Sequence, residues 1–468
     1  MRRLIALALV ALAVPLVLVQ LFFAVRRARR PPNIVLVVAD TLRADRLGVY
    51  GNGKGLTPFL DELAARGTVF THAYAASSWT CPSVASLLTS RYPSQHRVSD
   101  YDSKLPDGET TLAESLAEKR YVAGGFSANF RLSGPLGYGQ GFTGWFPFVA
   151  HGKITAQRLG RKSLAWIDAA WNRRARRPLF LYYQFMETHA PYDPVGEAHA
   201  PDAAIAALRR RLCPECADTA RNAAINEQLT ALHWDLLTHD DVARLEALYD
   251  VEVASFDARL RDLFAGLARR GVLDKAIVVF TADHGEEFRD HGYLGHGTSL
   301  YNELIHVPLI VLTPGQHAGR VVADNVSLLD VAPTLLDLVG ILPERAAEGR
   351  SLVPLLDGGS VPADVVAELP PVLSSPLDIG RHRLAFVRGT LKLIVPRKSG
   401  VARDRPVVFD LATDPGEQHP GSPATECAAC LRAARRVRAE IAARAAPAEH
   451  GVVDERTREH LRALGYVN

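Results

Sequence analysis

AIVVFTADHGEEFRDHGYLGHG, residues Ala276–Gly297, shows most directly how this chain folds. The segment begins with a continuous apolar run, Ala276–Thr281, which is typical of a strand buried on both faces of a sheet. The run ends at Asp283 and His284, and a glycine-rich loop follows. A buried strand that ends in a carboxylate and an imidazole indicates a sheet that carries its chemistry at the carboxyl ends of its strands.

The same pattern of an apolar run with a polar end recurs elsewhere in the chain. Asn33–Val38 is followed by Asp40 and Thr41, and Leu179–Gln184 is followed by His189. Because the carboxyl ends of parallel strands meet at one edge of a sheet, we expect these side chains to lie near Asp283 and His284.

Helical patterns separate the strands. The clearest, Asp241–Arg270, keeps apolar residues at helical spacing, with Asp240 or Asp241 as the expected N-cap and Gly271 as the expected end. A further apolar run, Leu309–Leu312, comes later. Strands that alternate with helices predict an α/β fold, in which a mainly parallel central sheet lies between two helical layers.

The composition divides the chain into three parts. Residues 1–30 read as a membrane anchor, residues 31–360 as the catalytic domain with a helical insertion at about 195–240, and residues 361–468 as a small α+β subdomain. The last part contains strand-like runs at 384–387, 391–395 and 407–411, and a helical pattern near 428–445.

Residues 1–30 also account for the net positive charge. They hold six Arg and no acid, so the rest of the chain has 48 basic and 51 acidic residues and offers no basic field for nucleic acid. Residues 4–25 are almost wholly apolar and, at about 1.5 Å per residue, can cross a bilayer core of roughly 30 Å. A buried core helix is the alternative. The Arg on the two flanks favour a cytoplasmic body.

The segment SSWTCPSVASLLTSRYPSQH, residues 77–96, contains a candidate nucleophile. Pro82 and Ser83 suit the start of a helix. A hydroxyl at Thr80 would then face the positive end of the helix dipole, where an anion is stabilised. The alternative role for Thr80 is a plain helix cap.

Several motifs, in order from Pro32 to Asn468, resemble the sulfatase family of the alkaline-phosphatase superfamily. They are PNIVLVVADTLRADRLGVYG, TCPSVASLLTSRYPSQH, ADHGEEFRDHGYLGHGTSLYNELIHVPLIV, SLLDVAPTLLDLVGI, EGRSLVPLL, VFDLATDPGEQ and LRALGYV. The resemblance implies an alkaline-phosphatase-like three-layer sandwich and a hydrolase of sulfate or phosphate esters that uses one divalent metal ion. Ca, Mg, Mn and Zn are all compatible with it.

The resemblance also implies roles for individual residues, each at the position that matches the family's motif. The implied metal ligands are Asp40, Asp283, His284 and Thr80. The implied catalytic residues are Thr80, His189 as a general acid, and His296, which stands where many sulfatases have a Lys. The implied substrate contacts are His291 and Asn129.

The sequence departs from the sulfatase pattern at the nucleophile. Sulfatases have Cys or Ser, then any residue, then Pro-Ser-Arg, and the first residue becomes formylglycine. Here Pro82-Ser83 puts Thr80 in that place, Cys81 stands one position late, and Val84 replaces the Arg. Thr cannot be oxidised to that aldehyde.

Other charged positions of the pattern are also changed. Thr41 stands where a second acidic residue is usual, and FSANFRL, with Ser127 and Asn129, stands where the family has a Lys and a His. A Thr nucleophile resembles the phosphoglycerol and phosphoethanolamine transferases of the same superfamily. The alternative function is therefore a membrane-anchored phosphotransferase or phosphodiesterase that acts on lipid or envelope glycan head groups. The resemblance implies an extracytoplasmic catalytic domain, against the flanking Arg count.

Two C-x-x-C pairs, Cys213/Cys216 and Cys427/Cys430, could form a zinc site or disulfides. We expect the two pairs to meet and to fix the C-terminal helix to the insertion, and unrelated free thiols are the alternative. A different class of function is an inactive, membrane-tethered binding protein that keeps the fold, and a third is a secreted structural protein. The complete set of candidate site residues argues against the first, and the His-rich loop argues against the second.

Overall fold

The computed structural model describes residues 31–100, 102–147, 154–171, 177–192, 203–342, 347–370, 383–396, 405–423, 427–443 and 449–450. The predicted anchor at residues 4–25 and the terminal LRALGYV motif lie outside these ranges. Within them, no helix combines the length and the apolar character that crossing a bilayer requires.

Nine strands form the large sheet: β1 (Asn33–Ala39), β2 (Thr68–Tyr74), β4 (Val122–Ser127), β5 (Gly144–Pro147), β6 (Leu179–Phe185), β7 (Ala276–Ala282), β10 (His306–Val307), β11 (Leu309–Leu312) and β12 (Arg320–Ser327). Two short pairs lie outside it: β3 (Ser103–Lys104) with β17 (Glu449–His450), and β8 (Glu287–Phe288) with β9 (Leu294–Gly295).

The helices, in chain order, are α1 (Pro58–Ala64), α2 (Thr80–Thr89), α3 (Pro93–His96), α4 (Leu112–Glu118), α5 (Ala156–Ala170), α6 (Ala203–Leu212), α7 (Thr219–Thr230), α8 (His239–Arg269), α9 (Asn302–Ile305), α10 (Val331–Leu338), α11 (Val353–Leu356) and α12 (Ala428–Ala442). Helices α1, α5, α6 and α7 pack against α8, whereas α4 and α10 pack against α2. Strand β4 contacts α4 of one set and α5 of the other. This grouping matches the predicted sheet between two helical layers.

The predicted strands form the centre of the sheet. Its order is β10-β2-β11-β7-β1-β6-β4-β5, with β12 paired in parallel to β2. Strands β7, β1 and β6 are parallel neighbours and almost entirely buried, which explains their continuous apolar sequences. Each ends within one residue of the position predicted for it.

The sheet is mixed, so the expectation of a mainly parallel sheet is confirmed only in that coarser form. Of the eight pairings between described strands of this large sheet, five are parallel. The three others involve β10 and β11, which run antiparallel to β2, and β11 also runs antiparallel to β7. Between Asp283 and β10 the chain forms the β8–β9 pair and the short helix α9, and β11 then runs antiparallel beside β7.

The long helix begins two residues earlier than predicted. Its N-cap is Thr238, whose hydroxyl accepts from the backbone N–H of Asp241 at 3.2 Å while the Asp241 carboxylate accepts from the Thr238 N–H at 3.1 Å. The pair is a capping box, so the expected cap residue Asp241 is its second member. Gly271 follows the helix with φ +68°, as a C-terminal stop requires.

The C-terminal part forms a separate antiparallel sheet of β13 (Val365–Leu369), β14 (Arg383–Arg388), β15 (Leu391–Pro396) and β16 (Val407–Asp410). Helix α12 packs against β14. Strands β14, β15 and β16 and the helix lie where the sequence predicted them, whereas β13 was not predicted. The domain boundary after residue 360 remains a prediction.

The cysteine pairs do not meet. Cys213 is bonded to Cys216 within the insertion, and Cys427 is bonded to Cys430 at the start of α12. The prediction that the pairs join two parts of the chain is therefore wrong. In each C-x-x-C segment the two Cα atoms are 5.2 Å apart, within the range that a disulfide spans, so each cysteine finds its partner locally.

Candidate active site

The site lies where β7, β1 and β6 end together. In the strand register Ala39 of β1 is level with Ala282 of β7 and with Phe185 of β6. Asp40 and Asp283 are therefore neighbours across two parallel strands. Both side chains are fully buried. The arrangement is the one expected from the strand-end pattern.

Asp40, Asp283 and His284 each present a ligand atom, and these atoms lie within 4.8 Å of one another. Nε2 of His284 is 3.6 Å from Asp40 Oδ1 and 3.8 Å from Asp283 Oδ2. Nδ1 of the same ring lies 2.9 Å from the carbonyl oxygen of Gly285 and must donate its proton there. Nε2 is then the unprotonated nitrogen, which is the form that binds a metal.

Neutral donors hold the two carboxylates in place. The Asn129 amide donates to Asp40 Oδ2 at 2.8 Å, and the Gln184 amide donates to Asp283 Oδ2 at 3.0 Å. The backbone N–H of His284 donates to Asp283 Oδ1 at 2.9 Å. These bonds fix the oxygens but bring no positive charge.

Burial and the nearby Asp40 raise the pKa of Asp283 well above its usual range. Burial also acts on Asp40, but the surrounding imidazoles and the Asn129 amide outweigh it and hold the pKa of Asp40 below its usual value. Burial, with the neighbouring His296, lowers the pKa of His284 to about 3, so this ring is neutral at pH 7. Two buried carboxyls and a neutral imidazole form a donor set that fits a divalent cation.

Thr80 lies against this donor set. Its Oγ1 is 3.2 Å from His284 Nε2, and 3.4 and 3.5 Å from the two carboxylate oxygens of Asp40. Helix α2 begins at Thr80, two residues before the start predicted at Pro82, and its N-cap is Trp79, so Thr80 is not the helix cap. Ser83 Oγ donates to the Asp283 carbonyl at 2.6 Å and so fixes the first turn of α2 to the end of β7.

Cys81 does not share this position. Its side chain is buried, and burial raises the pKa of its thiol to about 11. Its carbonyl accepts a hydrogen bond from the Tyr138 hydroxyl at 2.8 Å. A thiol that stays protonated at neutral pH is a weak nucleophile, so the geometry agrees with the register that assigns the nucleophile position to Thr80.

His296 and His189 complete the cluster. The His296 ring centroid is 4.6 Å from that of His284 and 5.0 Å from that of His189. His296 Nδ1 is 2.8 Å from Glu286 Oε1, which fixes the ring, and Tyr192 donates its hydroxyl proton to the other oxygen of Glu286. Burial lowers the pKa of both histidines, that of His296 to about 4.

The structure does not bring His291 to the cluster. Its Nδ1 lies 2.8 Å from Glu303 Oε1, its Nε2 lies 3.0 Å from the Glu417 carbonyl, and its ring stacks on Tyr301. Both ring nitrogens are engaged on the side of the C-terminal sheet. The prediction of a substrate contact at His291 is corrected accordingly. Asn129 lies at the site, but its amide donates a hydrogen bond to a carboxylate oxygen of Asp40.

Sequence reasoning missed three residues of this site: Gln184, Glu286 and Arg131. Gln184 is the penultimate residue of β6, and Glu286 stands two places after His284. Arg131 follows β4, is buried, and its backbone N–H donates to the Asn129 side chain at 3.0 Å. Its charge helps to lower the pKa of His296, after burial. The strand-end pattern, applied to β4 as well, could have found it.

Comparisons with known proteins give one consistent family and fold. A family model described as Sulfatase matches residues 32–341. Arylsulfatase A of Homo sapiens is 29% identical over 431 residues, which cover 83% of this chain and 83% of that protein. Arylsulfatase K of Rattus norvegicus is 26% identical over 422 residues, which cover 82% of this chain and 74% of that protein.

Solved structures show the same fold. A phosphonate monoester hydrolase of Agrobacterium radiobacter superposes with a TM-score of 0.68 at 22% identity, covering 88% of this chain and 96% of that one. A 2-O GAG sulfatase superposes with a TM-score of 0.67 at 20% identity, covering 92% of this chain and 96% of that one. At these identities the likeness concerns the fold alone.

Proposed function

The chain belongs to the sulfatase family, and from that premise we propose that it is a metal-dependent ester hydrolase whose nucleophile is the hydroxyl of Thr80. Its homology to arylsulfatases and to steryl-sulfatase indicates a sulfuric ester hydrolase. To this we add Thr80 as the nucleophile and a dependence on a metal ion, and we consider two classes of ester.

One observation carries the proposal. Thr80 Oγ1 lies within 3.5 Å of both Asp40 and His284, at the first residue of a ten-residue helix. A hydroxyl in this position lies beside the metal-ligand set and at the positive end of the helix dipole. Both features stabilise an alkoxide and an ester anion bound beside it.

Asp40, Asp283 and His284 would hold the cation, which supplies the positive charge that lowers the pKa of a nearby hydroxyl and neutralises an ester anion. The two oxygen donors and one nitrogen donor are compatible with Ca, Mg, Mn or Zn. The donor set itself favours a cation, because burial and the neighbouring Asp40 make the ionised form of Asp283 costly and a cation would offset that cost.

The remaining side chains suit proton transfer to the leaving group. The Thr80 hydroxyl gives its proton to water, and Oγ1 forms the new bond to sulfur or phosphorus while the bond to the leaving alcohol oxygen breaks. That oxygen takes a proton. His189, whose ring lies 5.0 Å from that of His296, is the proposed donor. Burial lowers the pKa of His189, and a bound anion next to the ring opposes this effect and favours the protonated form.

The nucleophile also favours a second candidate, a phosphotransferase or phosphodiesterase. Thr80 cannot become formylglycine, and a sulfated threonine lacks the hydrate through which formylglycine releases sulfate. A phosphothreonine intermediate has no such difficulty, because phosphoryl transfer depends mainly on positioning and electrostatics. An anchor at residues 4–25 with an extracytoplasmic catalytic domain would place this activity next to lipid or glycan head groups.

A substrate panel on the full-length chain tests the proposal. Aryl sulfates, phosphate monoesters, phosphodiesters and phosphonate monoesters are assayed with each of the four metals. We expect metal-dependent turnover that falls by about a thousandfold or more in Thr80→Ala, the usual scale for the loss of a covalent nucleophile. Thr80→Ser should keep part of the activity.

Thr89→Ala is the matched control, because Thr89 ends the same helix and its hydroxyl donates only to the Ala85 carbonyl. Acid-quenched protein should carry a sulfo or phospho group on the Thr80 peptide, and its identity separates the two candidate functions. Full activity in Thr80→Ala would refute the nucleophile. No turnover by the parent chain on any ester would favour the inactive binding protein.

A further inference from the structure

A buried chain of hydrogen bonds runs from the insertion to His296, at the edge of the active site. It starts at Asn226 in α7, passes through Tyr192 and Glu286, and ends at Nδ1 of His296. The first three residues are at most 5% exposed, whereas the side chain of His296 is 16% exposed. The chain is therefore shielded from solvent up to the one ring that a substrate can reach.

Asn226 holds the backbone of Tyr192 at two points. Its Oδ1 accepts from the Tyr192 N–H at 2.6 Å, and its Nδ2 donates to the Tyr192 carbonyl at 3.1 Å. Nδ2 also donates to the carbonyl of Asn222, one turn earlier in α7, at 2.9 Å. Because buried hydrogen bonds of this kind contribute about 1 kcal/mol each, the position of Tyr192 is coupled to α7. His189 lies three residues before Tyr192, so the same contact also holds the segment that carries the proposed proton donor.

The side chain of Tyr192 passes this constraint to the site. Its ring packs between those of Tyr249 and Phe288, with the centroid 5.6 Å from each. Its hydroxyl donates to one carboxylate oxygen of Glu286, and the other oxygen lies 2.8 Å from His296 Nδ1. With both of its oxygens bonded, the carboxylate has one orientation, and it fixes the orientation of the histidine ring.

Orientation matters for His296 because an imidazole has two distinct nitrogens, and the partner of one decides what the other can do. Nδ1 is bonded to Glu286, so Nε2 is the nitrogen that can contact a bound ester. The neighbouring ring centroids, 4.6 Å away at His284 and 5.0 Å away at His189, place His296 within the cluster. A Lys at this position would carry its donors on a flexible stem and would not need such a support.

The insertion also contacts the loop that carries His296. Arg289 of this loop donates to the carbonyls of Trp234 and Leu237, each at 2.8 Å. A Cβ on Gly295, the residue before His296, would lie 4.0 Å from the Trp234 ring. The insertion therefore lies against both chain segments that bring the second and third histidines to the site.

We propose that Asn226 is a positioning residue that aligns His296 for the reaction. It acts through Tyr192 and Glu286, so the insertion sets the geometry of the active site without touching the substrate. The inference rests on the proposed function in one respect, that the ester binds at the histidine cluster beside Thr80.

Hydrogen–deuterium exchange at the C2 atom of each histidine ring, read by mass spectrometry, tests the alignment directly. The full-length chain is compared with Asn226→Ala and with Tyr192→Phe, which removes only one hydroxyl and so preserves the packing. We expect exchange at His296 to become about tenfold faster in both variants, the scale of one or two lost hydrogen bonds. His291, which lies outside the cluster, should keep the rate of the parent.

Asn222→Ala is the matched control. Asn222 lies in the same helix and is completely buried, but its amide donates to the Cys216 carbonyl and accepts from the Arg244 guanidinium. This variant should have a lower melting temperature and an unchanged exchange rate at His296. If it accelerates exchange as much as Asn226→Ala does, the effect is a general loosening of the insertion and the proposal is overturned.

Turnover shows whether the alignment is used. Asn226→Ala and Tyr192→Phe should each lower turnover by about tenfold in the parent, but not in the residual activity of His296→Gln, because both act through that ring. Equal losses in the two backgrounds would overturn the route through His296. Faster exchange at His296 with full turnover in Asn226→Ala would overturn the role in the reaction.

The exchange measurement does not depend on turnover, so it separates this inference from the proposed nucleophile. Faster exchange at His296 and reduced turnover in Asn226→Ala, together with full turnover in Thr80→Ala, would support the positioning role and refute the Thr80 nucleophile. Lost turnover in Thr80→Ala, together with the parent's exchange rate at His296 in Asn226→Ala and Tyr192→Phe, would give the reverse result.

Discussion

Asp40 and Asp283 at the active site are buried as completely as Lys392 and Glu417 at the junction with the C-terminal sheet. At the junction a fixed opposite charge is in direct contact with the buried carboxylate. There Lys392 Nζ lies 2.8 Å from Glu417 Oε1 and also donates to the Asn302 side chain at 2.8 Å. At the active site the described residues bonded to the carboxylates are amides, backbone N–H groups, the Thr80 hydroxyl and a neutral imidazole.

The difference separates a structural use of buried charge from a functional one. A paired buried charge lets the C-terminal sheet dock on the loop that contains Asn302 and His291. At the active site the buried Asp283 carboxyl ionises beside Asp40 only at a cost in free energy, which a cation at the proposed site would offset. Each region therefore responds differently when one charge is removed.

The largest expected effect follows from Asp283→Asn. Removal of one metal-binding carboxylate should lower turnover by about a thousandfold or more, since a bound metal contributes several kcal/mol to transition-state stabilisation. Bound metal, measured by elemental analysis, should fall with it. The metal-free variant should unfold at a temperature no lower than that of the metal-free parent, because the repulsion from Asp40 is relieved.

His291→Asn is the control for Asp283→Asn. It lies on the same histidine-containing loop but outside the cluster, so metal content should stay unchanged and turnover should change far less. A metal-bound, active Asp283→Asn chain would remove the distinction between the two regions.

The next effect follows from Lys392→Met at the junction. This change leaves the Glu417 carboxylate buried without its cation and should lower the free energy of unfolding by about 3 kcal/mol. Denaturant midpoints measure it. Adding Glu417→Gln should restore most of the loss, because no charge then remains.

Arg388→Met is the matched control for the junction. Arg388 and Asp364 form an exposed ion pair on the same sheet, and the loss of such a pair costs at most about 1 kcal/mol. If Lys392→Met lowers the free energy of unfolding no more than Arg388→Met does, the buried ion pair stabilises the fold no more than the exposed one.

The active-site half of this comparison could be predicted from the sequence. Buried strands are read from continuous apolar runs, and parallel strands end at one edge, so Asp40, Asp283 and His284 were expected together and are found together. Thr80, which only the resemblance assigned to the site, lies beside them. The amide partners of the carboxylates were not predicted. A Gln at the end of a strand, such as Gln184, reads as a strand residue until its neighbours are known.

The glycine-rich loop shows why the rest could not be predicted. His291 and His296 are five residues apart, but only His296 reaches the cluster. Gly292, Gly295 and Gly297 adopt φ of +93°, +79° and +75°, values that reverse the chain between and beside the two histidines. Composition indicates that such a loop turns but not in which direction. Sequence order alone therefore assigned both histidines to the site.

The smallest expected effect concerns a buried carboxyl outside both regions. Asp257 lies in α8, and its two oxygens accept the backbone N–H groups of Phe59 and Leu60 at 2.9 Å. Burial raises its pKa to about 6, whereas an unfolded Asp titrates near 3.9. Between these values the unfolded chain loses the proton while the folded chain keeps it. The stability contribution is full below about pH 4 and is lost as the pH rises to about 6.

We therefore expect the parent to lose about 2 kcal/mol more between pH 4 and pH 7 than Asp257→Asn, which carries no titrating proton but keeps an acceptor oxygen. Denaturant unfolding at both pH values measures the difference. Asp262→Asn, at an exposed position of the same helix, should follow the parent. Equal pH dependence in all three chains would mean that Asp257 is charged in the folded state. The fold would then tolerate a buried carboxylate without a neighbouring cation at Asp257. The same feature at Asp40 and Asp283 would therefore no longer indicate a cation site.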